Sequence, residues 1–116
     1  MKILVLDENK TRRIRLTEIL EKKRHEVTAC SQSNAFITAI EKNFDTLLLD
    51  VESWNRGRAI YHYLGIGRRL AGRPIIFYNA PPEFSAIGHR PRNPKDKILV
   101  QPSEVEAIVA GLPETR

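Results

Sequence analysis

The chain has 116 residues, which fits one domain with a modest hydrophobic core and excludes an enzyme built from separate cofactor and substrate domains. Hydrophobic residues make up 41% and charged residues 28%, as in globular proteins, and no apolar run approaches the ~20 residues that cross a membrane. The net charge is +5, and the single cysteine, Cys30, cannot form an intrachain disulfide, which favours a cytoplasmic location.

The first half of the chain alternates predicted strands and helices. Residues 2–6 are short, apolar and partly β-branched, as is typical of a buried strand. Residues 10–23 carry apolar side chains at helical spacing within a charged segment, which predicts an amphipathic helix. Residues 25–30 predict a second strand, a serine-capped helix extends to about residue 42, and residues 44–50 predict a third strand.

The second half is less regular. Residues 59–70 predict a helix that two glycines shorten or kink. Residues 74–78 predict the fourth strand, and four prolines in residues 81–95 predict a short or irregular fourth helix. Residues 96–100 predict the fifth strand, and Ser103 is placed to cap a last helix. The boundaries predict a domain over residues 1–112, with a tail or the start of a linker over residues 113–116.

This alternation predicts an α/β fold, a doubly wound, flavodoxin-like sheet of five parallel strands in the order 2-1-3-4-5. In such sheets the chemistry lies at the carboxyl ends of the strands. Asp7 and Glu8 follow the first strand and Asp50 ends the third, so we expect three carboxylates to converge there. Their mutual repulsion favours a hard divalent cation such as Mg²⁺, although acids at strand ends are also common without one.

With these residues in place, the sequence resembles the receiver domain of two-component response regulators, the CheY-like group. The resemblance covers nearly the whole chain, from Lys2 to about Leu112. Its best signals are Ile-Leu-Val-Leu-Asp-Glu at residues 3–8 and Thr-Leu-Leu-Leu-Asp at residues 46–50. The fold that this family implies agrees with the fold predicted from the strand pattern.

The resemblance implies a site and a function. Asp50 would accept a phosphoryl group, and Asp7, Glu8 and Asp50 would hold Mg²⁺ together with the backbone carbonyl of Glu52. The domain would be a signalling module, without an enzyme activity of its own. Its partners would be a sensor histidine kinase or another protein, and an output domain or protein that it regulates. From its position after the third strand, Trp54 is either a loop aromatic that covers the edge of the core or a lid or partner contact beside the pocket, and Ile98 is the other candidate for a partner surface.

Three positions depart from the family pattern. Asn79 stands where the family has Thr or Ser, Gln101 where it has a Lys before the proline, and Ile98 where it has an aromatic switch residue. Replacing the Lys ammonium removes a charge-assisted contact to phosphate worth roughly 1.5–3 kcal/mol. We therefore expect an atypical receiver, in which phosphorylation of Asp50 is slow or uncoupled from the usual output and protein contacts carry the regulation.

The charge distribution leaves two further interpretations open. Between Ser53 and Lys95 the only acid is Glu83. The basic residues of that segment are Arg56, Arg58, Arg68, Arg69, Arg73, Arg90, Arg92 and Lys95. A solvated basic face explains them, and the alternative is an accessory domain that binds nucleic acid. A homodimer is also expected, with Glu104 and Glu106 of the last helix paired to basic residues across a two-fold axis.

Overall fold

A computed structural model describes residues 1–32, 35, 36, 39, 44–56, 73–82 and 94–113. Five strands and three helices have defined bounds in this part of the chain. In chain order they are β1 (Lys2–Leu6), α1 (Lys10–Lys22), β2 (Glu26–Cys30), β3 (Thr46–Asp50), α2 (Val51–Arg56), β4 (Ile75–Ala80), β5 (Lys97–Val100) and α3 (Val105–Ala110). The predicted helix over residues 59–70 lies outside the described residues, as does most of the proline-rich segment 81–95.

The five strands form one parallel sheet in the order β2-β1-β3-β4-β5, which confirms the predicted topology. β1 lies between β2 and β3, so Val5 is opposite Ala29 on one side and Leu48 on the other. Because all strands are parallel, their carboxyl ends meet at one edge of the sheet. Asp7 and Asp50 both lie at that edge.

The sheet separates two apolar layers, because successive strand side chains point to opposite faces. Leu4, Leu6, Leu47 and Leu49 face one layer, which also contains Phe36. The other layer contains Ile3, Val5, Leu48, Ile76 and Tyr78, and it is covered by Leu16 and Leu20 of α1 and by Val105 and Ile108 of α3. Burial on both faces explains why the central strands read as continuous apolar runs.

α1 begins at Lys10, three residues after Asp7. Asn9 caps it, since its Oδ1 accepts a hydrogen bond from the Arg12 backbone N–H at 2.9 Å. Leu16 and Leu20, one turn apart, are fully buried against the sheet. The helix ends before Arg24, whose φ of 66° is left-handed. This placement puts Arg12 in the first turn, within reach of the strand ends.

Two local predictions differ from the structure. Residues 51–56 are helical, so Trp54 belongs to α2 rather than to a loop. Ser103 does not cap the last helix: Glu104 is the N-cap of α3, and the Ser103 hydroxyl instead accepts a hydrogen bond from the Asn79 backbone N–H. Within the described residues, no helix has the length and apolar character needed to cross a bilayer.

Candidate functional site

The carboxyl edge of the sheet carries two buried carboxylates. Asp7 follows β1 and is 0% exposed, and Asp50 ends β3 and is 2% exposed. Burying two like charges side by side is unfavourable unless donors or a cation compensate them. Glu8, expected to join them, has an exposed side chain. Of the three predicted carboxylates, Asp7 and Asp50 are therefore the two that lie buried at this edge.

The guanidinium of Arg12 lies between the two carboxylates. Its Nε donates to Asp7 Oδ2 at 2.5 Å, and its Nη2 donates both to Asp7 Oδ1 at 2.9 Å and to Asp50 Oδ2 at 3.1 Å. The contact with Asp7 is bidentate, the strongest geometry for an Arg–carboxylate pair. Burial opposes the charge on Arg12, yet the hydrogen bond and attraction to Asp7, with the attraction to Asp50, outweigh it and raise the pKa of the guanidinium.

Asp7 has two further donors. The Asn9 backbone N–H donates to Oδ1 at 2.9 Å, and the Tyr78 hydroxyl donates to Oδ2 at 2.7 Å. Burial and then the negative charge of Asp7 raise the pKa of Tyr78 well above its usual value, so the phenol remains a donor. Cζ of Arg12 also lies 5.6 Å from the centre of the Tyr78 ring, within cation–π range.

Asp50 is held by side chains from three elements. Ser53 Oγ in α2 donates to Oδ2 at 2.7 Å, Asn79 Nδ2 in β4 donates to Oδ1 at 3.2 Å, and Arg12 of α1 also donates to Oδ2. Burial raises the pKa of the Asp50 carboxyl and the charge of Asp7 adds to that rise, whereas the donors oppose it without cancelling it. Ser53 also accepts the Glu8 backbone N–H at 2.9 Å, which joins α2 to the end of β1.

Asn79 connects the site to the loop after β5. Its backbone has a φ of 53°, a left-handed conformation that Asn tolerates better than most residues. Its backbone N–H donates to Ser103 Oγ at 2.8 Å, and its side-chain Oδ1 accepts the Ser103 backbone N–H at 3.2 Å. Because Asn79 also contacts Asp50, a single side chain links the carboxylate to the segment that precedes α3.

Gln101, predicted as a phosphate-contact position, bonds a neighbouring side chain of α2. Its Nε2 donates to Glu52 Oε1 at 2.8 Å. Arg12, Glu52, Asn79, Gln101 and Pro102 surround an open pocket of about 390 Å³ beside the carboxylates. The pocket lining therefore includes the neutral amides of Asn79 and Gln101 and a Glu52 side chain that accepts a hydrogen bond from Gln101.

The remaining predicted site residues have mixed outcomes. Ile98 on β5 is 42% exposed, consistent with the expected surface position. The Trp54 side chain and most of the basic segment lie outside the described residues. Glu106 pairs with Arg15 of the same chain at 2.6 Å. Pairing of Glu106 across a two-fold axis stays a prediction.

Sequence reasoning missed Arg12, Ser53 and Tyr78 as parts of the site. Arg12 reads as one more charge on the solvated side of an amphipathic helix, and Tyr78 reads as a core strand residue. The available signal for Arg12 is its position five residues after Asp7, in the first turn of a helix that follows a parallel strand. A long side chain there reaches back to the strand ends.

The donor set does not fit a metal ion at Asp7. A carboxylate offers about four lone-pair positions, two on each oxygen. The Oδ1 atom of Asp7 accepts Asn9 and Arg12, and its Oδ2 accepts Arg12 and Tyr78, so both oxygens are saturated. In the part of the chain that the structure describes, no three His, Cys, Asp or Glu side chains are grouped so as to hold a metal ion.

No protein-family model and no curated protein matches the sequence. Solved structures do match the fold. A two-component response regulator from Clostridium difficile superposes with a TM-score of 0.73 at 23% identity, over 95% of this chain and 90% of that one. The chain has the receiver fold. A Francisella response regulator receiver domain gives a TM-score of 0.69 at 18% identity, over 95% of this chain and 92% of that one.

A third receiver-fold structure comes from Burkholderia pseudomallei, with a TM-score of 0.71 at 19% identity. It is a response regulator with a phosphorylated aspartic acid, a calcium ion and citrate. The match covers 97% of this chain but 66% of that protein, so this chain spans slightly less than two thirds of its length. At these identities the likeness establishes the receiver fold, and the function is argued from the site.

Proposed function

We propose that this chain is an atypical receiver-type signalling domain, in which Asp50 is the control carboxylate and protein contacts regulate an output. The observation that carries the proposal is the placement of buried Asp50 at the carboxyl end of β3, beside Asp7 at the end of β1. The receiver fold of the chain supports it. In this proposal the domain works in the cytoplasm, acts on proteins rather than on a metabolite, and is not an enzyme with turnover of its own.

Phosphoryl transfer to Asp50 is the chemistry that we assign to the site. A carboxylate oxygen of Asp50 would attack the phosphorus atom of a phosphodonor as the bond from phosphorus to the leaving group breaks. An acyl phosphate would release a carboxylate anion, and a phosphohistidine would release an imidazole that takes up a proton. Ser53 and Arg12 occupy Oδ2, so Oδ1, which accepts only Asn79, is the oxygen left to attack, and these three donors withdraw electron density from the carboxylate. We therefore expect slow acceptance.

The output is proposed to pass through protein partners: a sensor histidine kinase or another signalling protein, and the output domain or protein that it controls. Asn79 supports this route, because it bonds both Asp50 and Ser103 and so connects the site to the segment before α3. Ile98, 42% exposed on β5, and Trp54 are proposed contact residues. Pairing of two copies is a further arrangement that such a surface would serve.

The experiment measures phosphoryl transfer from a small acyl phosphate by intact mass. We expect the wild type to gain one phosphoryl group slowly, and Asp50→Asn to gain none. Gln101→Lys, which restores an ammonium at the pocket, is expected to accelerate labelling by about ten- to a hundredfold, the equivalent of ~1.5–3 kcal/mol. Equal labelling of the wild type and Asp50→Asn, or no labelling at all after prolonged incubation, would contradict the assignment of Asp50 as acceptor.

A further inference from the structure

We propose that the Arg12 guanidinium is the resident cation of this acidic pocket and takes the place of the divalent metal that the receiver fold leads one to expect. Arg12 bonds both Asp7 and Asp50, and its side chain is 21% exposed. The inference goes beyond the proposed function, since it concerns how the two carboxylates are neutralised, whether or not Asp50 is phosphorylated.

Hydrogen-bond donors already occupy most acceptor positions of the two carboxylates. All four acceptor positions of Asp7 are filled, two of them by Arg12. Three of the four positions of Asp50 are filled by Ser53, Arg12 and Asn79. Mg²⁺ requires oxygen ligands at short range in near-octahedral geometry, so it would have to displace a donor to reach Asp7, and the one open acceptor position, on Asp50 Oδ1, is too few to hold it.

The charge and shape of the Arg12 guanidinium suit a position between two carboxylates. A guanidinium is planar, always protonated and weakly hydrated, so it is better suited than an ammonium to a partly buried bidentate pair. Arg12 is held in place by more than its ion pairs, because its guanidinium lies over the Tyr78 ring and Tyr78 itself bonds Asp7. The cation and its ligand are thus fixed by the same aromatic side chain.

The backbone carbonyl of Glu52, expected as a metal ligand, belongs to α2. α2 begins at Val51, so Glu52 lies in the first turn of a helix whose carbonyl groups point along the helix axis. Its carbonyl, expected as a metal ligand, is thereby directed toward α2's own carboxyl end. The Glu52 side chain bonds Gln101 instead. The exposed Glu8 is the remaining expected ligand, and it does not join Asp7 and Asp50 in a metal-ligating group within the described residues.

The test is a calorimetric titration of the full chain with Mg²⁺, with no phosphodonor and no partner present. We expect no saturable binding to the wild type at millimolar Mg²⁺. Arg12→Ala frees lone pairs on both carboxylates, and we expect it to show saturable Mg²⁺ binding at least about tenfold tighter than the detection limit that the wild-type titration sets. Arg15→Ala is the matched control, since it removes an exposed guanidinium that pairs with Glu106 outside the pocket, and it should behave as the wild type.

A second measurement covers the case in which Arg12→Ala folds poorly. In the ¹⁵N-labelled wild type, the Arg12 Nε–H resonance should be protected from exchange and unchanged by millimolar Mg²⁺, and Arg12→Lys identifies it by its loss. Saturable Mg²⁺ binding to the wild type that Asp7→Asn abolishes, or displacement of the Arg12 resonance by Mg²⁺, would overturn the proposal. Since neither measurement involves phosphoryl transfer, the metal inference and the proposed function fail independently.

Discussion

The hydroxyl of Tyr78 is expected to be among the strongest single contacts of the site. It donates to Asp7 Oδ2 at 2.7 Å, and both residues are fully buried. Tyr78→Phe removes this hydrogen bond to a charged acceptor, which is worth about 1.5–3 kcal/mol. The Phe ring keeps the apolar volume and the face that Arg12 covers, so the substitution isolates the hydroxyl. We expect the free energy of unfolding to fall by that amount, with an unchanged fold.

Equilibrium urea unfolding, followed by circular dichroism, measures this loss. A protein of this length should also show a fall in Tm of roughly 5–10 °C. Thr17→Val is the matched control, because it removes a half-buried hydroxyl that bonds the Arg13 carbonyl at 2.8 Å within α1, away from the carboxylates. That change should stay within about 0.5 kcal/mol.

A Tyr78→Phe variant as stable as Thr17→Val would refute the reasoning. It would mean that Asp7 finds an equally good donor without the phenol, such as a water molecule that reaches Oδ2. The burial of Asp7 at 0% exposure argues against that outcome, because it leaves little access for water to the freed position of Oδ2.

Three further predictions follow from the site and the core. Asn79→Thr, the residue type expected from the resemblance, should lower the free energy of unfolding in urea by about 1–3 kcal/mol, because a β-branched side chain is strained at a φ of 53°. Asn79→Gly is the comparison variant, since it avoids that strain. The pKa of Asp50 in the folded protein is raised above its ordinary 3.8. The contribution of Asp50 to the free energy of unfolding is therefore fully present below pH 3.8 and is lost as the pH rises through the folded pKa. The stability of Asp50→Asn relative to the wild type should therefore increase between pH 4 and pH 7, and a constant difference would contradict this. Burial raises the pKa of the Cys30 thiol, which should react with a disulfide reagent more than about tenfold more slowly in the folded protein than in denaturant.

The central strands β1, β3 and β4 were predictable from sequence because burial on both faces leaves a direct trace in composition. The run at residues 46–50 is buried throughout in the structure, and the apolar residues of residues 2–6 are too. α1 was predictable for a related reason, since Leu16 and Leu20 lie one turn apart on a charged segment. The order of the strands then followed from the rules of parallel α/β folds. α2 was missed because six residues are too few to establish a helical period.

The site was predictable only in part. Asp7 and Asp50 end strands, so topology brings them together, and the structure places them around Arg12 as described. The guanidinium and the Tyr78 hydroxyl were not predictable, because helical and strand periodicity report which face a residue is on but not which atom its end contacts. Ser103 shows the same limit: its hydroxyl could cap α3 or bond Asn79, and the positive φ of Asn79 decides for the latter.

The position of β1 in the sheet has a consequence for synthesis on the ribosome. β1 is made before its neighbours, yet it lies between β2 and β3, and Ile3 pairs with Thr46. At ~5–20 residues per second, a nascent chain therefore spends ~2–9 s with one flank of this apolar strand unpaired. A chain released before β3 is complete would keep that flank exposed, and we expect it to be recognised by chaperones or to aggregate rather than to fold.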